Sequence, residues 1–359
     1  MSLDGGSALA DLQYEVKSYF TDSNRFEFEK PVGSGSYGFG LLFNEKKQGG
    51  TNQRFVIKRA FHGQHYLMQE SDILHKLEHA DHIVNLVHLD PNPLEGNDLE
   101  EGILGPYIIM EYLENGTIND FTFRTRRVGV PNRVLAWIFL CLTRACIGMA
   151  YPPGVNPDGS RQEEVVDPSR KPSSLAHFDM HSSNLMFGSV DPSSREHNLM
   201  PILKLIDFGC SSERETPILP IQGVVNSYDI PLNLAQYRTQ GDTSPGVQVN
   251  IKDIANVVIL LAWQRIFASD PELRALIQNQ ASNPGLDPEM RLQMMRCIAA
   301  DPENRPKLDD LVTRLQQVVN DRRTAGNNTP GSPESDAAMQ RYVQRYVLNA
   351  PVNLDRRGG

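Results

Sequence analysis

The sequence predicts an α+β fold in two parts: an antiparallel sheet carrying one helix, then a mainly helical half. Three observations carry that prediction. Short strand-like runs gather early in the chain, at residues 26–29, 41–43, 54–58 and 107–113. Longer helical periodicities follow, over residues 132–150, 253–263 and 308–315. Two stretches rich in hard oxygen donors, residues 177–184 and 206–209, sit among those helices where turns after strands are expected.

Composition bounds the rest. A chain of 359 residues, 40% hydrophobic and 22% charged, can build one large core or two modest ones. A net charge of −9 argues against a general nucleic-acid or anionic-membrane surface. Cys141, Cys146, Cys210 and Cys297 follow neither a metal spacing nor a disulfide framework, so a reducing, intracellular setting is expected. Residues 1–10 lack a charged and then apolar secretory pattern, and the longest apolar run, residues 257–263, is too short to cross a bilayer. No membrane association is expected.

Taken in order, residues 1–22 read as a lead-in with some helix-forming character. Phe26-Glu27-Phe28-Glu29 alternates as a strand does and runs into Gly33-Ser34-Gly35-Ser36-Tyr37-Gly38. Glycines at 33, 35 and 38 let a backbone approach phosphates closely. A strand rather than a helix follows, at residues 41–43, which argues against a dinucleotide-binding turn. Residues 54–58 form a further strand ending in Lys58. Ile73, Leu74 and Leu77 then recur at helical spacing on a segment that carries Glu70. His75, His79 and His82 span a helix end and a turn without a carboxylate-backed cluster, and are not read as a metal site. Residues 90–104 have the composition of a loop insertion.

The second half opens with residues 132–150, where Leu135, Ile138, Phe139, Leu142 and Cys146 share a helical face. Polar insertions at residues 153–174 and 188–198 are expected as surface loops. Residues 210–252 show little periodicity. Residues 253–263 are apolar on nearly all sides and belong in a core. Leu308, Leu311, Val312 and Leu315 form a stripe, and residues 321–334 read as a linker. Met339, Tyr342, Val343, Tyr346 and Val347 share the face of a last helix, expected to dock on the chain itself in preference to a partner.

The run His177-Phe178-Asp179-Met180-His181-Ser182-Ser183-Asn184, followed by Asp207-Phe208-Gly209, resembles the protein kinase family. Residues 70–86 and Asp301-Pro302-Glu303-Asn304-Arg305-Pro306 resemble it too, so the likeness spans residues 26–315. It implies a bilobal protein-kinase-like fold: an N-lobe over residues 23–113, with antiparallel sheet plus helix, and a mainly helical C-lobe over residues 114–320. Residues 321–359 follow as linker and terminal helix. It further implies ATP and Mg²⁺ as cofactors and a Ser/Thr-bearing protein as substrate. Gly33, Gly35 and Gly38 would cover the triphosphate, and Lys58, paired with Glu70, would hold its oxygens. Met110 would guard the back of the adenine pocket. Val56, Glu111, Leu113 and Met186 are assigned to the nucleotide pocket, the last acids and amides of the set, Asn184 and Asp207, to the metal, and Asp179 to the acceptor hydroxyl.

Departures from the family pattern bear on that reading. Phe178 replaces the arginine that usually meets a phosphorylated activation segment, so activity is expected to need no phosphate on Ser211, Ser212 or Thr216. His181 stands where protein kinases usually carry lysine, a pattern shared with aminoglycoside- and choline-type phosphotransferases. Gly40 and Val56 exchange the usual large and small residues around adenine. No Ala-Pro-Glu is present to partner Arg305; either Asp229 or Asp242 takes that role, or the peptide-docking floor is built differently. A pseudokinase-like scaffold, docking partners through its insertions or last helix, is the alternative from another class.

Overall fold

Leu9, Leu12, Val16 and Phe20 recur at three- and four-residue spacing and line one face of α1 (Gly5–Thr21). The computed structural model describes residues 5–22, 24–34, 38–47, 50–61, 64–90, 107–155, 163–213, 246–265 and 270–348. Over these residues it is α+β, a four-stranded antiparallel sheet with helices followed by a mostly helical region. The chain divides into two units, one from Met1–Glu78 and Val84–Tyr112, the other from His79–Ile83 and Leu113–Asn353.

The first unit is built on β1 (Phe26–Ser34), β2 (Gly38–Glu45), β3 (Gln53–Ala60) and β4 (Tyr107–Glu111), paired antiparallel in that order. α2 (Gln64–Lys76) lies between β3 and β4 in sequence. The lead-in expected from the sequence is instead part of this core: Val16 and Phe20 of α1 are buried with Phe26, Phe43, Phe55 and Ile57. Phe43 and Phe55 stack across paired strands at 5.9 Å, a cross-strand pair that adds to area burial. β2 and β3 approach so closely at Gly38 that a Cβ there would stand 2.1 Å from the Arg59 carbonyl oxygen. Glycine at 38 is therefore required by strand pairing alone.

In the second unit α3 (Ile118–Thr125) begins at a reciprocal cap, Thr117 accepting from the Asp120 amide and Asp120 from the Thr117 amide. α4 (Asn132–Ala150) is buried along its whole length, packed by α5 (Gly246–Trp263) and α8 (Leu308–Asn328). Both α4 and α5 are long and apolar enough to cross a bilayer by composition, but α4 is apolar all round because it is this unit's central helix. Four short strands, β5 (Leu175–Ala176), β6 (Leu185–Phe187), β7 (Leu203–Leu205) and β8 (Ser212–Glu213), pair as β5 with β8 and β6 with β7. α6 (Asp270–Gln278) and α7 (Pro288–Cys297) precede α8.

Two segments differ from the sequence reading. α8 runs on to Asn328, through residues read as linker, and a Cβ on its Gly326 would lie 2.4 Å from the Glu334 carbonyl oxygen. The polar composition of residues 321–328 reflects a solvated helix face. The insertion ending at 174, read as a surface loop, contains Glu164, which is fully buried. The last helix, α9 (Asp336–Tyr346), docks on the same unit through buried Met339, Val343 and Val347. Fully buried Arg133 fixes its start, donating to the Glu334 carbonyl at 2.7 Å and pairing with Asp336.

Candidate functional site

The residues singled out in the sequence fall into two groups, one in each unit. In the first unit, Lys58 of β3 donates to both carboxylate oxygens of Glu70 on α2, at 2.8 and 2.7 Å. Glu70 is buried while the lysine side chain keeps a fifth of its surface exposed (21%), so the ammonium is held at a fixed place and still reachable. Gly33, Gly38 and Val56 lie on β1, β2 and β3, and Gly35 falls outside the described residues. A Cβ on Gly40 would come within 3.3 Å of Val56 Cγ1 and 3.1 Å of Val32 Cγ2. Valine at 56 thus fills the volume that the missing side chain at 40 leaves, a volume-conserving exchange. Glu111 turns its carboxylate to Asn85, accepting from the backbone amide at 2.8 Å and the side-chain amide at 2.7 Å.

In the second unit, residues 177–184 are laid out by hydrogen bonds from several directions. Asn184 Nδ2 donates to the Asp179 carbonyl at 2.9 Å and to Asp179 Oδ2 at 3.0 Å. Both amide protons are thereby spent, and Asn184 Oδ1 accepts no hydrogen bond from the described residues. The Ile206 amide donates to the Asn184 carbonyl at 2.9 Å, and His177 Nε2 donates to the Ile206 carbonyl at 3.1 Å. Those two bonds tie the segment bearing Asp207 to the one bearing Asp179. The His177 ring also meets Phe208 edge to face at 4.8 Å. Asp179, Asn184 and Asp207 are thus brought into one constellation. Met186 and Leu113 lie in the same unit, Met186 on β6 bridged to Thr117.

Backbone strain marks the same place. Phe178 and Asp207 adopt φ of 61° and 63°, the left-handed region. Each such non-glycine residue costs about 1–3 kcal/mol and persists where its surroundings enforce it. Phe178 is enforced by packing with Ala176 and Val249. The position where the family carries an arginine is thus an apolar plug. Ser211 is fully buried, its hydroxyl donating to the His177 carbonyl at 3.2 Å, which removes it from reach of a modifying enzyme. Ser212 is exposed on β8, and Thr216 lies outside the described residues.

His177 is fully buried. Burial pushes its imidazole down to about 4, outweighing the opposing pull of Asp207 and then Asp179. It is neutral near pH 7, donating from Nε2 while Nδ1 accepts the Asp179 amide at 3.3 Å. One residue that shapes this site escaped the sequence reading. Asn250 of α5 accepts from the His177 amide at 3.1 Å and donates to the Leu175 carbonyl at 2.9 Å, tethering that segment to the helix. Its signal was faint, a polar residue between Val249 and Ile251 on a helix that also carries Gln248, Lys252, Asp253 and Asn256. Arg305, expected to need an acidic partner, donates to the backbone carbonyls of Ala299 at 3.1 Å and Gln248 at 2.7 Å; Asp229 and Asp242 lie outside the described residues.

His181 is partly exposed, with Nε2 3.4 Å from Asp179 Oδ1. Among the three histidines considered as ligands, only His82 enters a buried cluster, and its companions come from distant segments. No protein-family model matches the chain, and no curated protein is significantly similar to it in sequence.

Proposed function

We propose that the protein is a divergent protein kinase that transfers the γ-phosphate of ATP to Ser or Thr hydroxyls, on a bilobal kinase-like fold. The observation that carries this reading is the constellation of Asp179, Asn184 and Asp207, held by the Ile206 and His177 bonds. Hydrogen bonding to Asp179 fixes the carboxylate and turns Asn184 Oδ1 outward as an oxygen ligand. With the Asp207 carboxylate this makes an all-oxygen donor set, which suits Mg²⁺. Bound there, Mg²⁺ would neutralise charge on the phosphates.

The remaining roles belong to the chain's own side chains. Lys58, immobilised by Glu70, holds phosphate oxygens as a cation with its orientation already set. Asp179 orients the acceptor hydroxyl and takes its proton, a contribution of about 10²–10⁴-fold. The glycines at 33, 35 and 38 give the triphosphate a backbone cover. Phosphoryl transfer asks for positioning and charge more than covalent help, and these groups provide both. The apolar plug at Phe178 supports activity that does not wait on phosphorylation of the segment after Asp207. The setting proposed is intracellular.

Phosphate transfer from radiolabelled Mg·ATP to a Ser/Thr peptide library tests the reading, with Asp179→Asn as control. Transfer is expected from the wild type and to fall about 10²–10⁴-fold in the variant. A thermal shift with Mg·ATP but no Asp179-dependent transfer would identify a scaffold. Transfer to small amino alcohols alone would identify a small-molecule phosphotransferase.

A further inference from the structure

The helical unit contains a second cluster of reactive side chains that phosphotransfer does not use. His82 comes from the turn before Ile83, Cys141 from α4 and His197 from the second polar insertion. One ligand atom from each lies within 4.8 Å of the others, and all three residues are buried. The two imidazoles meet nitrogen to nitrogen, Nε2 to Nε2, at 3.1 Å. The Cys141 thiol lies beside His82 and, like the other three cysteines, forms no disulfide.

We infer that His82 Nε2, His197 Nε2 and the Cys141 thiolate bind a zinc ion. With bonds of ~2.0–2.1 Å, two nitrogens on a tetrahedral zinc stand ~3.3 Å apart, close to the separation the imidazoles already have. Two imidazoles and one thiolate are ligands of the borderline-soft class that zinc prefers to calcium- or magnesium-type oxygen sets.

Glu164 supplies the group behind the ligands. Its Oε2 accepts from His82 Nδ1 at 3.0 Å and its Oε1 from the His82 backbone amide at 2.8 Å. Both oxygens are engaged, so Glu164 acts on the ring and not on the ion. A proton held on Nδ1 leaves the Nε2 lone pair aimed at the shared centre, the carboxylate–histidine–metal arrangement. Arg144, donating to the Glu164 carbonyl at 2.6 Å and paired with Glu163 and Glu196, fixes the segment that carries the carboxylate. Charge also closes: Zn²⁺ against one thiolate and one carboxylate, with two neutral rings, sums to zero in a buried place. The ion would pin His197 of the second polar insertion to α4 and the turn bearing His82, with Glu164 joined to it only through the His82 ring.

The inference stands apart from phosphotransfer, because none of its readouts involves nucleotide. The full chain is stripped with chelator, dialysed against micromolar zinc and assayed for bound metal, then titrated with cobalt(II) in parallel. The expected result is one zinc per chain, a thiolate-to-cobalt charge-transfer band, and a melting temperature raised by zinc. Cys141→Ser is expected to abolish the band, and His197→Gln to abolish zinc retention. Glu164→Gln is expected to weaken zinc about 10–100-fold. Circular dichroism establishes that each variant is folded. Folded wild-type protein that retains no zinc and develops no cobalt band would overturn the site, leaving a proton shared between two imidazoles. Cobalt absorption that persists unchanged in Cys141→Ser would overturn it equally.

Discussion

His177 and His82 lie in the same unit, both fully buried, and the protein holds them in opposite charge states. Burial lowers both. At His177 nothing in direct contact reverses it: the ring bonds to a carbonyl and an amide, and the imidazole is pushed down to about 4. At His82 the Glu164 carboxylate touches the ring at 3.0 Å, with the Cys141 thiol beside it, and the imidazole is pushed up to about 10 in the metal-free chain. Glu164 is correspondingly held below the usual carboxylate range by His82, against its own burial. A contacting carboxylate and a thiol beside it together outweigh the desolvation of the His82 ring, whereas two carboxylates acting on His177 without touching it do not. Neutral His177 organises a loop through directional bonds. His82 is held by charge, and the same carboxylate that stabilises a proton on it can present it to a metal.

The largest effect expected is at Glu164. Glu164→Ala leaves a buried imidazole without its counter-charge and strips the His82 amide of its acceptor. Removing one partner of a buried pair costs about 3–5 kcal/mol. Urea unfolding of the metal-free protein at pH 7 measures this; a loss under 1 kcal/mol would mean that His82 is neutral there and the contrast with His177 is false.

Next is the pH response of His177. Its folded value, about 4, lies below the ordinary 6.5. Between those values the unfolded chain binds the proton and the folded chain does not. Stability is thus undiminished above pH 6.5 and falls as pH drops from there toward 4, by ~1.4 kcal/mol per unit and ~3 kcal/mol in all. His177→Gln cannot take a proton, so its deficit relative to wild type should shrink by ~2 kcal/mol between pH 7.5 and 5. A deficit constant across that range would show that the ring titrates normally.

That contrast was only partly legible in the sequence. The strand signals at 26–29, 41–43 and 54–58 and the helical period over 132–150 announce themselves, because strand composition and a recurring apolar face are local properties. The residues around His177 were legible for a different reason: Asp179, Asn184 and Asp207 sit close together in sequence at a recognisable spacing. The His82 cluster has no such spacing. Its members stand 59 and 56 residues apart along the chain, and the carboxylate comes from an insertion whose polarity reads as solvent exposure. Glu164 is polar because it is buried beside a base, which composition cannot distinguish from a loop. α1 was legible in principle, through Leu9, Leu12, Val16 and Phe20, but its glycine-rich start masks the period.

Asn250 comes third. Asn250→Ala removes its bonds to the His177 amide and the Leu175 carbonyl, both buried. Leaving such groups unsatisfied costs about 1–3 kcal/mol each at most. Because Asn250 acts on the loop and not on nucleotide, kcat should fall while KM for ATP stays within twofold. A raised KM with unchanged kcat would place the tether's influence elsewhere.

The smallest effect separates the third histidine of this region from the two buried ones. His181 is partly exposed and lies 3.4 Å from Asp179 Oδ1. A lysine there would bring a permanent cation toward the transferring phosphate, worth several kcal/mol gross at an effective dielectric of about 20. The same cation would be drawn to Asp179 and would weaken it as a proton acceptor, so the two effects oppose each other. The net expectation for His181→Lys is a rise in kcat of less than about tenfold, under 1.4 kcal/mol, at saturating Mg·ATP. A fall in kcat would mean that the imidazole supports Asp179 in a way an ammonium cannot. His181 would then join His177 as an organiser of the loop.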